Sequence, residues 1–323
     1  MNKKPEIAST QDNSRLWLLT ALTMLAFAAN SLLCREALVS GSIDAASFTL
    51  VRMVSGALVL MMLAFLQSRT APVPEPKPDP KQEPRPVRLT GNWRSALALL
   101  GYAAAFSFAY HSLTAATGAL LLFGAVQATM IGYGLWSGER PNRLQLFGML
   151  LALLGLGWFL LPGVAAPDSV GALLMLLAGV CWGVYSLLGR GAASPLSATA
   201  GNFVRSVPLA LLLYGVIAAV GIDSHGEIAG QGGGGEIFSV SAIGVLYGIG
   251  SGAIASGLGY ALWYAVLPRI EATTAATVQL SVPIIAAFGG LLLLGEPLSL
   301  RLILCSTAVL GGIALAVLNR PGK

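Results

Sequence analysis

Three observations predict an all-α integral membrane protein, with ten transmembrane helices arranged as two inverted five-helix repeats. The first is a succession of long apolar runs in a chain that is 55% hydrophobic and only 10% charged over 323 residues. Soluble domains carry about 25% charged residues, so this surface is matched to lipid rather than to water. The second is recurrence. Leu33-Cys34-Arg35 returns as Leu188-Gly189-Arg190, Val51-Arg52 as Val204-Arg205, and Gly138-Glu139 as Gly295-Glu296, at offsets of 155, 153 and 157 residues. The third is the distribution of Lys and Arg, which collect on one side of the implied membrane.

A spanning helix needs about 20 mainly apolar residues. A polar tail, residues 1–15, precedes a first apolar run at 16–34, which is longer than the core of a cleavable signal and suits a span. Runs at 45–66, 93–112, 115–136 and 144–161 complete a first repeat, residues 16–161. The second repeat, residues 162–318, carries runs at 169–188, 197–219, 239–264, 273–294 and 300–318, before a short tail at 319–323. None of these runs alternates apolar with polar residues, which excludes a transmembrane β-barrel.

Two connections differ from the rest. Residues 67–92 hold seven prolines, from Pro72 to Pro86, interleaved with both signs of charge, and read as an extended, solvated tether. Residues 221–238 hold the run Gly232 to Gly235 without Lys or Arg and read as a flexible link.

Cytoplasmic segments of bacterial membrane proteins are enriched in Lys and Arg. With the N-terminus inside, fifteen such residues fall on the cytoplasmic side, and Arg35 and Arg301 alone fall opposite. Arg52 and Arg205 lie within spans. Both termini are therefore expected in the cytoplasm of an inner-membrane protein. Five spans per half is odd, so the halves run in opposite directions through the bilayer. Inverted repeats of this kind hold their binding site near the midplane, between the halves. Trp17, Trp93 and Trp136 fall at cytoplasmic ends and suit an interfacial belt. Cys34, Cys181 and Cys305 are odd in number, lack metal-ligand spacing and lie in or beside apolar runs, so buried thiols are expected rather than disulfides.

The segments Ala116–Pro141 and Thr273–Leu298 share a Thr-containing small-residue entry, a long apolar stretch and a closing turn, Gly138-Glu139-Arg140 or Gly295-Glu296-Pro297. This pattern resembles the EamA-type members of the drug/metabolite transporter superfamily, over nearly the whole chain. The resemblance implies a carrier of small organic solutes, commonly an exporter of amino acids, metabolites or toxic compounds, coupled to protons or to a counter-solute. It also implies a central site among the first, third, fourth, sixth, eighth and ninth spans.

The candidate substrate-binding residues are Arg52, Arg205, Gln127, Gln279, Trp182, Tyr185 and Tyr102. A charge inside a span costs about 2.5–3.5 kcal/mol on insertion scales and is commonly paired or directed at a cavity. Arg52 and Arg205 occupy equivalent positions in the two repeats, each about 10–12 Å along its span from the start. Two readings stand for them: charges offered to a substrate carboxylate, or long side chains snorkelling to the nearer interface. Gln127 and Gln279 each need a partner in hydrocarbon, from another helix or from a solute. Trp182 and Tyr185 are three residues apart on one helix face and, with Tyr102, Tyr247, Tyr260, Trp263 and Tyr264, are candidates for an aromatic pocket. Glu139 and Glu296, each following a glycine, read first as helix-end residues, and His111 reads as a wet helix-end residue. Gly248, Gly250, Gly252, Gly257 and Gly259 mark a span that packs closely or bends, and Pro208 and Pro283 mark hinges.

No cofactor or metal site is expected, and the basic charge sits in loops rather than forming a nucleic-acid footprint. The partners implied are the bilayer and a small organic solute. Two histidines and no clustered acids argue against a membrane enzyme, and the absence of a phosphate-binding GxxxxGK[ST] loop argues against ATP-driven pumping. The alternative class is a non-transporting scaffold or sensor that recruits partners through the proline-rich loop.

Overall fold

The computed structural model describes residues 10–70, 89–138, 140–163, 166–190, 192–220, 239–270 and 272–318. The prolines of the 67–92 connection, the glycine run at 232–235 and Glu139 lie outside the described residues.

The described chain is a helical bundle. Helices α1 (Thr10–Val39), α2 (Ala45–Thr70), α3 (Trp93–Ala109), α4 (Ala115–Trp136) and α5 (Arg143–Leu160) form the first half. The second half opens with α6 (Ser169–Leu188) and α7 (Pro195–Val220). It continues through α8 (Ala242–Ile249), a π-helical stretch (Gly250–Leu258) and α9 (Gly259–Val266), and closes with α10 (Ala272–Gln279), α11 (Ser281–Leu293) and α12 (Leu300–Leu318).

Helix starts are set by side-chain caps that take up otherwise unpaired backbone N–H groups. Asn92 accepts from Ser95 N at 2.8 Å, Asp168 from Gly171 N at 2.7 Å, and Asn142 forms a capping box with Gln145. The paired turns of the repeat require glycine for a backbone reason: Gly138 and Gly295 have φ of 90° and 65°, in the left-handed region where a Cβ is strained.

Eight helices among the described residues are long and apolar enough to cross a membrane. Ten spans were expected, and the two remaining segments differ for physical reasons. Helix α3 is only 17 residues, because the chain turns at Tyr110 toward the Thr114 cap. The expected span 273–294 is broken at Leu280. Pro283 has no N–H to give the Gln279 carbonyl, four residues earlier, so the α-helical ladder is interrupted there. The expected span 239–264 is instead α8, nine π-helical residues and α9 in series. Gly250, Gly252 and Gly257 bring no side chains to hold the α register, and Gly259 N donates to the Ile254 carbonyl five residues back.

The helices pack across the two halves. Helix α2 lies on α7, and α5 on α12. Helix α3 lies on α6 as the α8–α9 segment lies on α1, and α4 lies on α6 as α11 lies on α1. Exchanging the halves leaves this set of partnerships unchanged. Small residues permit the closest crossings. A Cβ at Gly148 of α5 would lie 2.5 Å from the Gly312 carbonyl of α12, and one at Gly312 would overlap the Gly148 carbonyl.

Candidate functional site: a polar and aromatic cavity between the halves

A cavity of about 540 Å³ lies between the two halves. It is lined by α1, α3 and α4 from the first half and by α6, α7, the π-helical stretch, α9 and α10 from the second. The start of α7, through Pro195, Ala198, Thr199 and Asn202, is an addition to the six expected spans. The cavity runs toward the α6–α7 connection, where Gly189 and Arg190 line its mouth.

Its wall is aromatic. Trp182 stacks on Tyr260 with ring centroids 5.4 Å apart at 18°, and approaches Tyr102 at 4.9 Å and Tyr185 at 5.4 Å. Phe27 closes on Tyr260 at 5.8 Å and on Trp263 at 6.2 Å. Such rings present flat apolar faces while their hydroxyl groups remain available for directed hydrogen bonds.

Two buried polar clusters interrupt this wall. In the first, Tyr102 Oη accepts from Arg52 Nη2 at 2.9 Å and from Asn30 Nδ2 at 3.2 Å, and Ser251 Oγ donates to Asn30 Oδ1 at 2.6 Å. In the second, nearer the mouth, Asn202 Nδ2 donates to Tyr185 Oη at 3.4 Å, and Thr199 Oγ1 lies 3.0 Å from Tyr264 Oη. The amides of Gln127 and Gln279 line the cavity with no hydrogen-bond partner among the described residues.

The equivalent arginines have different surroundings. Arg52 is 1% exposed and lies behind the cavity wall, its guanidinium 5.0 Å from the Tyr102 ring centroid and 5.1 Å from that of Phe106. Its Nε and Nη1 have no hydrogen-bond partner among the described residues. Arg205 is half-buried and does not line the cavity. Its Nη1 donates to the carbonyls of Thr90 at 3.1 Å and Gly201 at 2.9 Å, which ties the segment before α3 to α7.

The end remote from Arg190 is closed. Arg35 Nε donates to Glu296 Oε1 at 2.8 Å, and Arg35 Nη1 donates to the carbonyls of Tyr110 and His111. Glu296 Oε2 accepts from Ala115 N at 2.8 Å, at the start of α4. Beside this group, Ile43 and Val240 form an antiparallel bridge, and Asp44 N donates to the Ser239 carbonyl at 2.8 Å. Glu296 is thus a tertiary contact rather than a solvated helix end, and His111 takes part through its backbone. Tyr247 does not line the cavity, whereas Tyr260, Trp263 and Tyr264 do.

Sequence reasoning passed over Asn30, Phe27, Thr199 and Asn202. Asn30 carried a usable signal, a lone amide toward the end of the apolar run 16–34. Thr199 and Asn202 lie within one helical turn of each other near the start of a span, where polar residues are unremarkable.

The sequence matches the EamA-like transporter family twice, over residues 15–161 and again over residues 169–318. The chain belongs to the EamA-like transporter family. Its two matched segments meet at the connection between α5 and α6, so the cavity lies between the two EamA units. An uncharacterized protein of Pseudomonas aeruginosa is 51% identical over 309 residues, covering 96% of each chain. The threonine/homoserine exporter RhtA of Salmonella typhimurium is 28% identical over 200 residues, 59% of this chain and 61% of that one. RhtA of Escherichia coli K12 is 29% identical over 175 residues, 52% of each chain. A solved crystal structure superposes with a TM-score of 0.59 at 16% identity, covering 94% of this chain and 98% of the other, which is a likeness of fold. The chain is therefore a multi-pass membrane protein of a family of small-solute transporters.

Proposed function

We propose that this EamA protein is a secondary carrier that exports a small organic solute, an amino acid or related metabolite, by alternating access. The observation that carries the reading is the cavity of about 540 Å³ between the halves, which has a lined mouth at the Arg190 end and an ion-paired closure at the Arg35 end. Its volume suits a solute of amino-acid to drug size.

In this reading α3 and the α10–α11 pair also span the bilayer, giving ten passages in two inverted halves. The packing partnerships, unchanged when the halves are exchanged, support that arrangement. Both termini lie in the cytoplasm of an inner membrane, as the bias of Lys and Arg argues. The Arg190 mouth then faces the cytoplasm, where an exported solute is loaded. Trp182, Tyr185 and Tyr102 hold its apolar part, and Gln127 and Gln279 offer amides to its polar part. Rocking of the halves breaks the closure at Arg35 and opens the far side, driven by a proton or a counter-solute.

The test is flux in proteoliposomes. Purified protein is reconstituted and loaded with radiolabelled threonine, homoserine and a wider amino-acid panel. Counterflow of at least one solute, lost in Trp182→Ala, supports the carrier. Retention of every solute at the level of empty liposomes refutes it.

A further inference from the structure

Arg52 is a buried cation without an anion. It is 1% exposed, and among the described residues no carboxylate pairs with it. One of its N–H groups reaches Tyr102 Oη, two aromatic rings flank it, and Nε and Nη1 find no partner among the described residues. A charge in this position is costly unless an opposite charge approaches it during the protein's working cycle.

Tyr102 is the link from that charge to the cavity. Its hydroxyl oxygen accepts from Arg52 Nη2 and from Asn30 Nδ2, which are both donor-only groups. The phenolic proton therefore has no acceptor among the described residues, and Tyr102 lines the cavity. A hydroxyl held by two donors, one of them cationic, is polarised to give its own proton to an acceptor. The rest of the cavity has matching chemistry. None of the described residues lining it is Asp or Glu, and Arg190 stands at the mouth, so a cationic solute finds no counter-charge there.

We infer that the cavity selects solutes bearing a carboxylate, which accepts the Tyr102 hydroxyl proton and neutralises Arg52 through it. Tyr102 is the contacting group, and Arg52 is a positioning residue that acts from behind the wall. The inference rests on the carrier reading for its setting, and it names the substrate class of that same site. The aromatic wall around Trp182 and Tyr260 takes the remainder of the solute.

The experiment is isothermal titration of the purified full chain with matched pairs: threonine, homoserine, leucine and phenylalanine, each against its α-carboxamide. At least one acid binds, and its amide binds about tenfold to a hundredfold more weakly, as expected for a charge-assisted hydrogen bond. Tyr102→Phe, which keeps the ring packing, and Arg52→Met both collapse that gap, and Arg52→Lys restores part of it. A structural role for Arg52 would lower the melting temperature without changing the ratio of acid to amide. Equal binding of acids and amides by the wild type, no binding by any acid, or an unchanged gap in Tyr102→Phe each overturns the inference. Flux of a carboxyl-free amine in proteoliposomes, with acids ignored, sinks the inference and keeps the carrier. Acid binding with the expected gap but no flux sinks the carrier and keeps the carboxylate site.

Discussion

Arg35 and Glu296 stand 261 positions apart in the chain, yet Arg35 Nε donates to Glu296 Oε1 over 2.8 Å. The pair joins the end of α1 to the turn after α11, and so ties one EamA unit to the other. Each partner has further work: Glu296 receives the first N–H of α4, and Arg35 holds the carbonyls at the end of α3. With side chains only 15% and 10% exposed, the pair is shielded from solvent. Four chain segments therefore meet at one ion pair.

Glu296→Gln keeps the shape and removes the charge. It is expected to cost about 1.5–3 kcal/mol of the closed arrangement. The closed end should open more often, which hydrogen exchange detects as faster amide exchange at 113–118 and 290–297, with little change at α5 and α12. Unchanged exchange there would make the ion pair incidental.

The crossing of Gly148 with Gly312 offers a contrasting test, because neither glycine lines the cavity. Each would set a Cβ within 2.5 Å of the other's carbonyl oxygen. Gly148→Ala should overpack the α5–α12 contact by about 1–3 kcal/mol. The expected result is a lower melting temperature in detergent with ligand affinity retained. A loss of affinity without a loss of stability would couple this remote pair to the cavity.

How much of this was legible beforehand differs by residue. Trp182 and Tyr185 share a helix face by their spacing alone, and Arg52 is conspicuous as a charge in an apolar run. The glycine of each Gly-Glu turn could be placed at a helix end because a left-handed backbone favours it. The partner of Arg35 could not be read, since ion pairs between distant segments depend on tertiary packing and leave no local pattern. The π-helical stretch was equally hidden: glycines and serines permit several hydrogen-bond registers, and the stretch packs on α2, far away in sequence. The break at Leu280 was half-visible through Pro283, which suggested a hinge but not a division into two helices.

Trp182 should dominate ligand affinity, because it touches Tyr102, Tyr185 and Tyr260 at once. Trp182→Ala removes one side of the stack and should weaken binding of the best ligand about tenfold or more, whereas Trp182→Phe should retain much of it. Titration of both variants decides the point. Equal losses in both would show that the indole N–H, rather than the ring face, carries the contact.

The two arginines of the repeat provide the sharpest comparison, because equivalent positions lead to different environments. Arg205 donates to the Thr90 and Gly201 carbonyls and stays off the cavity wall. Gly201 packs so closely on this segment that a Cβ there would overlap the Thr90 carbonyl. The side chain thus fastens the residues that lead into α3, and its charge is spent on backbone dipoles rather than on a solute. Arg205→Ala should therefore speed amide exchange at 90–95 and lower the melting temperature, at a cost of about 0.5–1.5 kcal/mol for the lost hydrogen bond to the exposed Thr90 carbonyl, while the Gly201 carbonyl keeps its helical N–H donor. The ratio of acid to amide affinity should stay at the wild-type value, in contrast to Arg52→Met. A reduced ratio in Arg205→Ala would mean that both arginines act on the solute, each in a different stage of the cycle.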